Sequence, residues 1–372
     1  TGEREPLMLL GHADVVGASS AGWIHPPFGG VIDDGRVWGR GSLDMKGQVA
    51  ASLMILQILR SRGVRLNRDV ILAVTADEES GSRLGAHWLW EHHRELVTAD
   101  IAFNEGGGQR FETPGGPLYT VQVAEKGSAR LRLTATGDGG HASVPRTESA
   151  IFHLAQALVR LQAHQAATHM PDVSRRMLSV MRDRHSGKAA DAIGDFLASP
   201  TLVKAAELPI DPLLRDFVIA GTHNTAVPTI LRGGDRINVC PRSASVEVDG
   251  RVLPAQAPSA WAAEIQAAVA PFADVELVQG RASAPGHEDA DTLAVLSTVM
   301  NGLEAGATVL PYINSASTDA RAFPGTRVFG FFPSASNVDY MRLIHGTNEN
   351  ALVSDLTFGM QALLGAVLRL AS

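Results

Sequence analysis

Three short apolar runs do most to limit what this chain can become. Residues 7–10 lead into Gly11-His12-Ala13-Asp14, residues 70–75 into Ala76-Asp77-Glu78-Glu79, and residues 101–103 into Asn104-Glu105 followed by three glycines. Apolar runs of this length, ended by glycine or charge, read as strands buried on both faces. Between them, residues 47–62 and 82–96 carry helical spacing. Strands alternating with helices predict an α/β fold with a mostly parallel sheet. In such a sheet ligands bind in the crevice at the carboxyl ends of the strands. Those ends are where the acids and the histidine fall.

The middle of the chain reads differently. Residues 130–136 alternate apolar and polar, 149–161 are helical, 226–231 and 244–253 are strand-like, 259–270 are helical, and 275–279 form a last strand. The order β-α-β-β-α-β is the ferredoxin-like arrangement, an α+β domain inserted into the α/β one. The expected division is residues 1–124 for the first part of the catalytic domain, 125–284 for an inserted lid and dimerisation domain, and 285–372 for the second catalytic part. Residues 170–222 enter this scheme only as a helical insertion. An amphipathic helix is expected near residues 352–370.

Composition excludes more than it assigns. With 372 residues and 45% of them hydrophobic, the chain has apolar material for more than one core. The net charge of −7 combines 32 basic and 39 acidic residues without a Lys/Arg-rich run, so neither nucleic acid nor an anionic membrane is an expected partner. The best apolar stretch, residues 49–59, is interrupted by Ser52 and Gln57, so no membrane span is expected. Cys240 is the single cysteine and no internal disulfide can form, which suits a reducing, cytoplasmic setting.

Zinc takes histidine nitrogens and carboxylate oxygens, and a pair of ions needs a carboxylate that can bridge them. The candidates are His12, Asp44, Glu79, Glu105 and His345. Asp14, two residues after His12, shares its face at a strand end and can accept from the His12 ring. Asp44 lies in Gly39-Arg40-Gly41-Ser42-Leu43-Asp44, a glycine-punctuated turn entering a helix. Glu78 and Glu79, being adjacent, point different ways, one to a metal and one to the reacting water. Taken singly, a His-x-Asp is commonly a surface pair and paired glutamates a solvated helix start. Their joint fall at one sheet edge is what raises them above accident.

In that order and spacing, Gly11-His12-Ala13-Asp14, Gly39-Arg40-Gly41 with Asp44 and Lys46, Asp77-Glu78-Glu79-Ser80-Gly81, Asn104-Glu105-Gly106, and His345-Gly346 with Glu349 resemble the di-zinc metallopeptidase superfamily of glutamate carboxypeptidase, acetylornithine deacetylase, succinyl-diaminopimelate desuccinylase, aminoacylase and carboxypeptidase S. The resemblance runs over nearly the whole chain. It implies that His12, Asp44 and Glu105 hold one zinc and Asp44, Glu79 and His345 the other, with cobalt or manganese as substitutes. It implies Glu78 as general base, Asp14 as the carboxylate partner behind the His12 ring, and a cis peptide after Asp44. Gly140-His141-Ala142-Ser143 resembles the motif whose histidine stabilises the oxyanion, in several dimeric members from the partner subunit. Asn238-Val239-Cys240-Pro241 with Asp249 and Arg251 resembles the lid segment whose asparagine and arginine grip a substrate carboxylate. Two departures stand out: members usually carry a helix and strand ahead of the His-x-Asp strand, and Cys240 replaces an aliphatic residue.

The expected activity is hydrolysis of an amide or peptide bond next to a free carboxylate, in a small peptide or N-acyl amino acid, by a homodimer joined through its lids. Two alternatives stay open on sequence: a dinuclear-zinc aminopeptidase or dipeptidase that recognises a free amine, and a non-catalytic binding protein with a degenerate site. A nucleotide-binding protein would need a phosphate-cradling loop, and Gly137-Asp138-Gly139-Gly140 lacks that spacing.

Overall fold

The computed structural model describes residues 4–283, 286–287 and 289–372. The three apolar runs become parallel neighbours. Strand Arg4–His12 lies between Arg68–Thr75 and Ile101–Asn104, with His12 beside Thr75 and Leu9 beside Phe103 in register. Arg327–Gly330 continues the parallel set next to Ile101–Asn104. Leu118–Glu125 and Thr308–Asn314, parallel to each other, complete the six-strand path, and Arg110–Phe111 pairs alongside.

Double-sided burial explains why these strands are uninterrupted apolar runs. Leu7 and Leu9 enter a core shared with Ile55, Leu296 and Leu363, whereas Met8 and Leu10 enter a second core with Ala86, Ala102 and Phe323 on the other face. Helix Lys46–Ser61 follows the expected 47–62 segment, but the expected 82–96 helix is split at His93 into Ala86–His92 and Arg94–Val97.

The second sheet is antiparallel, in the order Thr225–Gly233, Ser243–Val252, Gly127–Thr136, Asp274–Arg281. Numbered along the chain this is 2-3-1-4, the ferredoxin-like order. Helices Ala150–Ala163 and Pro258–Val269 pack on it through Leu154, Leu161, Trp261 and Ile265. The expected boundary between residues 284 and 285 falls outside the described residues.

The structure corrects the reading of residues 170–222 as part of the inserted domain. Helices Asp172–Arg184, Gly187–Ala198, Leu202–Ala206 and Pro212–Thr222 bury Met177, Met181, Phe196 and Val218 against Phe111, Leu118, Leu310 and Tyr312 of the large sheet. They belong in space with the large sheet, whose Thr308–Asn314 edge would otherwise leave this apolar surface in water. The helix expected near residues 352–370 is present, and sequence reading overlooked only how apolar it is. Val353–Ala371, 19 residues, is long and apolar enough to cross a bilayer by length and composition; here Ala362, Leu363, Ala366 and Val367 are buried in the main core.

Candidate metal centre

His12 ends its strand fully buried, and its ring is fixed from both sides. Nδ1 lies 3.0 Å from the backbone carbonyl of Asp14, which accepts from it, and Nε2 lies 2.9 Å from Asp44 Oδ1. Glu105 Oε1 stands 3.7 Å from the same Nε2. The other oxygen of Asp44, Oδ2, is 3.1 Å from His345 Nε2, which is also 3.1 Å from Glu79. Asp44 therefore turns one oxygen toward each histidine. Two donor sets, each with atoms within 4.8 Å of one another, result: His12 with Glu78 and Glu105, and Asp44 with Glu79 and His345. All five expected ligand residues converge, and Glu78 stands with the first set.

Asp14 is used differently from the expectation. Its carboxylate is 3.4 Å from His12 Nδ1, farther than its own backbone carbonyl, and instead accepts the backbone N–H groups of Glu78 at 3.3 Å and Glu79 at 3.2 Å. Those two residues open a short 3-10 turn, Glu78–Ser80, whose first N–H groups lack partners within the turn. The Asp14 carboxylate thus fixes where both glutamates start. Beyond Glu105 the glycines are needed because a Cβ at Gly107 would collide with the Gly330 carbonyl.

A second tie was visible only as motif letters. Glu349, fully buried, accepts from Arg40 Nη1 at 2.6 Å, Gly41 N at 3.0 Å, Leu43 N at 2.9 Å and Asp44 N at 3.3 Å. Arg40 Nη2 in turn donates to the His345 carbonyl at 2.9 Å. One buried ion pair therefore positions both the Asp44 turn and the segment carrying His345. Pairing of Asn350–Leu352 with Arg36–Trp38 brings these distant segments together. The Asp44–Met45 peptide is cis, as the resemblance implies. Asp319 and Arg321 flank the site: buried Asp319 accepts from Thr75 Oγ1 at 2.5 Å, and Arg321 Nη2 donates to Ser82 Oγ at 3.0 Å.

The charges strain against each other. Burial, then the charge of Glu105, pushes the Glu78 carboxyl up to about 8. Burial likewise raises Glu105 and Glu79, each further raised by Asp44. Burial disfavours the His12 cation, yet hydrogen bonds to Asp44 and Glu105 overcome it and lift the ring to about 11. Carboxylates packed this closely around imidazole nitrogens want a further positive charge. Oxygen and imidazole donors in sets of three suit zinc and its first-row neighbours. The residues present therefore fit a pair of divalent cations.

The lid residues are placed less closely. Gly140–His141 pairs with Val239–Cys240 in a small ribbon, His141 opposite Val239, and Ala142 N donates to the Asn238 carbonyl at 3.0 Å. His141 and Asn238 are exposed, and neither lines the two cavities that reach Glu78 and Glu79. Arg251 does line one of them, a cavity of about 890 Å³ shared with Lys126, Arg130, Arg281 and Arg321. Its guanidinium is held by Asp249, Nε to Oδ1 at 2.7 Å and Nη2 to Oδ2 at 3.0 Å.

The model of peptidase family M20/M25/M40 matches residues 8–369. The chain belongs to this family. As an M20-type protein it is a hydrolase of a metal-dependent class. Over 369 residues it is 27% identical to a probable carboxypeptidase S-like 2 of Dictyostelium discoideum, covering 94% of this chain and 69% of that protein. It is 29% identical to an N-fatty-acyl-amino acid synthase/hydrolase of Homo sapiens, covering 94% of this chain and 71% of that one. In fold this M20 chain is similar to an M20 family metallo-carboxypeptidase from Sulfolobus solfataricus, with a TM-score of 0.69 at 16% identity over 98% of this chain and 85% of that chain.

Proposed function

We propose that this chain hydrolyses an amide or peptide bond adjacent to a free carboxylate, in a small peptide or N-acyl amino acid, with two zinc ions. His12, Asp44 and Glu105 would hold one and Asp44, Glu79 and His345 the other, with cobalt or manganese able to substitute. The observation that carries the reading is Asp44, whose two oxygens lie 2.9 Å from His12 and 3.1 Å from His345. A bound pair of this kind polarises the scissile carbonyl and brings the pKa of a water near 7.

The chain's own residues do the rest. Glu78 takes a proton from the attacking water at its carboxylate and returns it to the leaving nitrogen. Asp14 keeps Glu78 in place through its backbone N–H. Arg251, its fork held by Asp249 on the rim of the cation-lined cavity, receives the substrate carboxylate together with Asn238. His141 stabilises the oxyanion after the lid moves. The printed names of the relatives, a carboxypeptidase and an acyl-amino acid hydrolase, support this substrate class.

A homodimer through the lid fits the exposed apolar side chains there: Val227, Ile230 and Leu231 on the edge strand, Phe152 and Val159 on the adjacent helix. Light scattering on the purified protein reads that state directly. The substrate reading is tested with zinc-loaded protein on N-acyl amino acids and free-amine dipeptides. Cleavage of the former but not the latter is expected. The reverse would assign amine recognition, and turnover of neither would make this a binding protein.

A further inference from the structure

The open face of the lid sheet is built in rows, because residues paired in register on neighbouring antiparallel strands point the same way. Strand Gly127–Thr136 runs between two others, with Ala129, Leu131 and Leu133 turned to the helices and Ser128, Arg130 and Arg132 on the open face. In one row Arg132 stands between Glu247 and Glu276 and bonds both, Nε to Glu247 at 2.9 Å and Nη1 to Glu276 at 3.1 Å. In the next row, closer to where the chain leaves the large sheet, Arg130 stands between Asp249 and Gln279. In the row after that, Ser128 stands between Arg251 and Arg281.

The rows differ in charge balance. The Arg132 row neutralises itself. Asp249, the one acid of the next two rows, gives both oxygens to Arg251, at 2.7 and 3.0 Å. Among the described residues, no carboxylate forms an ion pair with Arg130 or Arg281, and Arg281 Nη2 instead meets the ring of His87 at 3.2 Å. Ser128, Arg130, Arg251 and Arg281 all line the cavity of about 890 Å³ that reaches Glu78 and Glu79. The remaining acid of that cavity, Glu125, is occupied: its Oε1 accepts the Thr318 N–H at 3.1 Å and Gln122 Nε2 at 2.7 Å. Toward the reacting carboxylates the lid therefore presents more positive charge than its own acids answer.

We infer that this cavity holds a dianion: the amino-acid part of the substrate is glutamate or aspartate, its α-carboxylate on Arg251 and its side-chain carboxylate on Arg281. The inference rests on the amide-hydrolase reading above, which uses only one carboxylate. Arg251 and Arg281 sit two strands apart, so their backbones are separated by about 10 Å at roughly 4.8 Å per strand. Long arginine side chains leaning inward over the small Ser128 close that gap to the spacing of two carboxylates in one small molecule. Each guanidinium can hold its carboxylate through paired, charge-assisted N–H bonds. Both arginines belong to one sheet, so a movement of the lid carries them together and keeps their spacing. A glutamine side chain in place of glutamate would leave Arg281 without an anion.

The test measures kcat/KM of the zinc-loaded protein on N-acetyl derivatives of glutamate, aspartate, glutamine and lysine, and on N-succinyl-leucine, whose second carboxylate lies in the acyl group. Wild type is expected to favour the better of the two acidic substrates over N-acetyl-glutamine at least tenfold. Arg281 is exposed, so its replacement spares the fold. Arg281→Gln should lower that ratio at least tenfold, and Arg281→Glu should turn the preference toward N-acetyl-lysine. Arg132→Gln, in the neutralised row, should leave the ratio as in wild type. Calorimetry without turnover is expected to show glutarate binding at least tenfold tighter than butyrate, a difference that Arg281→Gln removes; the comparison with butyrate cancels any bond to the ions. Equal turnover of the acidic and glutamine substrates, a ratio that falls as far in Arg132→Gln as in Arg281→Gln, or a preference for N-succinyl-leucine would overturn the dianion assignment and leave the hydrolase reading standing. Tight glutarate binding without cleavage of any N-acyl amino acid would support the dianion pocket and overturn the hydrolase reading.

Discussion

The carboxylate of Asp14 accepts the backbone N–H of Glu78 at 3.3 Å, so a residue two positions after one metal-site histidine fixes the start of the glutamate pair sixty-four residues on. Removing this acceptor leaves two N–H groups of the Glu78–Ser80 turn without a partner and lets both glutamates drift. Outer-shell partners of metal ligands typically contribute about 10–100-fold in affinity or activity. Asp14→Ala is expected to lose that much in kcat and in zinc affinity together, read by steady-state kinetics and a competing chelator. Asp14→Asn, which keeps one acceptor oxygen, should fall between.

Glu349 and Arg40 form an ion pair with side chains 0% and 5% exposed. Removing one member of a buried pair typically costs about 3–5 kcal/mol because the other charge is left unpaired. Glu349→Ala is expected to be destabilised by about that amount in urea unfolding. It should also lose zinc affinity, since the Asp44 turn and the His345 segment are both tied to this pair. A variant that unfolds earlier yet binds zinc normally would show that the knot serves the fold alone.

Metal uptake should release protons. Without a cation, His12 is protonated, its ring lifted to about 11, and Glu78, Glu79 and Glu105 hold protons more tightly than exposed carboxylates do. A cation must displace the His12 proton, so apparent zinc affinity rises with pH. Calorimetric titration in buffers of different ionisation enthalpy is expected to show net proton release. Asp44→Ala, which removes the oxygen facing each histidine, should lose both ions rather than one.

Lys126 gives a pH effect of different origin. Its ammonium is 1% exposed, with Nζ donating to the His223 carbonyl at 2.7 Å, and burial, then nearby Arg251, lowers it from 10.5 to about 7. The unfolded chain therefore binds a proton that the folded one does not over that window. Stability rises with pH from about 7 to 10.5 and is lost as pH falls back through 7, by at most about 1.4 kcal/mol per unit. Lys126→Met removes the titrating group. The wild-type minus variant difference in unfolding free energy is expected to climb between pH 7 and 10 and to be flat below pH 6.

Much of this architecture was legible in the residues because burial writes itself into pattern. Leu7 to Leu10 are apolar at every position since alternate residues enter different cores, and the antiparallel lid strand Gly127–Thr136 alternates since only one face meets its helices. What stayed hidden depends on contacts far apart in sequence. The helices of residues 172–222 have good amphipathic patterns, but a pattern shows that a face is buried, not against which sheet. The use of Asp14 as an acceptor for the Glu78 and Glu79 backbone, and the role of Glu349, depend on turn geometry that single letters do not carry. The closing helix Val353–Ala371 was foreseen as an element, while its apolar length was not recognised, because small alanines and glycines spread its hydrophobicity evenly.

The account turns on Glu78 acting on protons while its neighbours hold the ions, and one variant separates these roles. Zinc content by mass spectrometry and kcat on an N-acyl amino acid should be measured on the same preparation of Glu78→Gln. Two zinc ions per chain with turnover reduced about 10²–10⁴-fold, the usual contribution of a general base, is the expected result. Near-normal turnover, or loss of one ion alongside loss of activity, would contradict it.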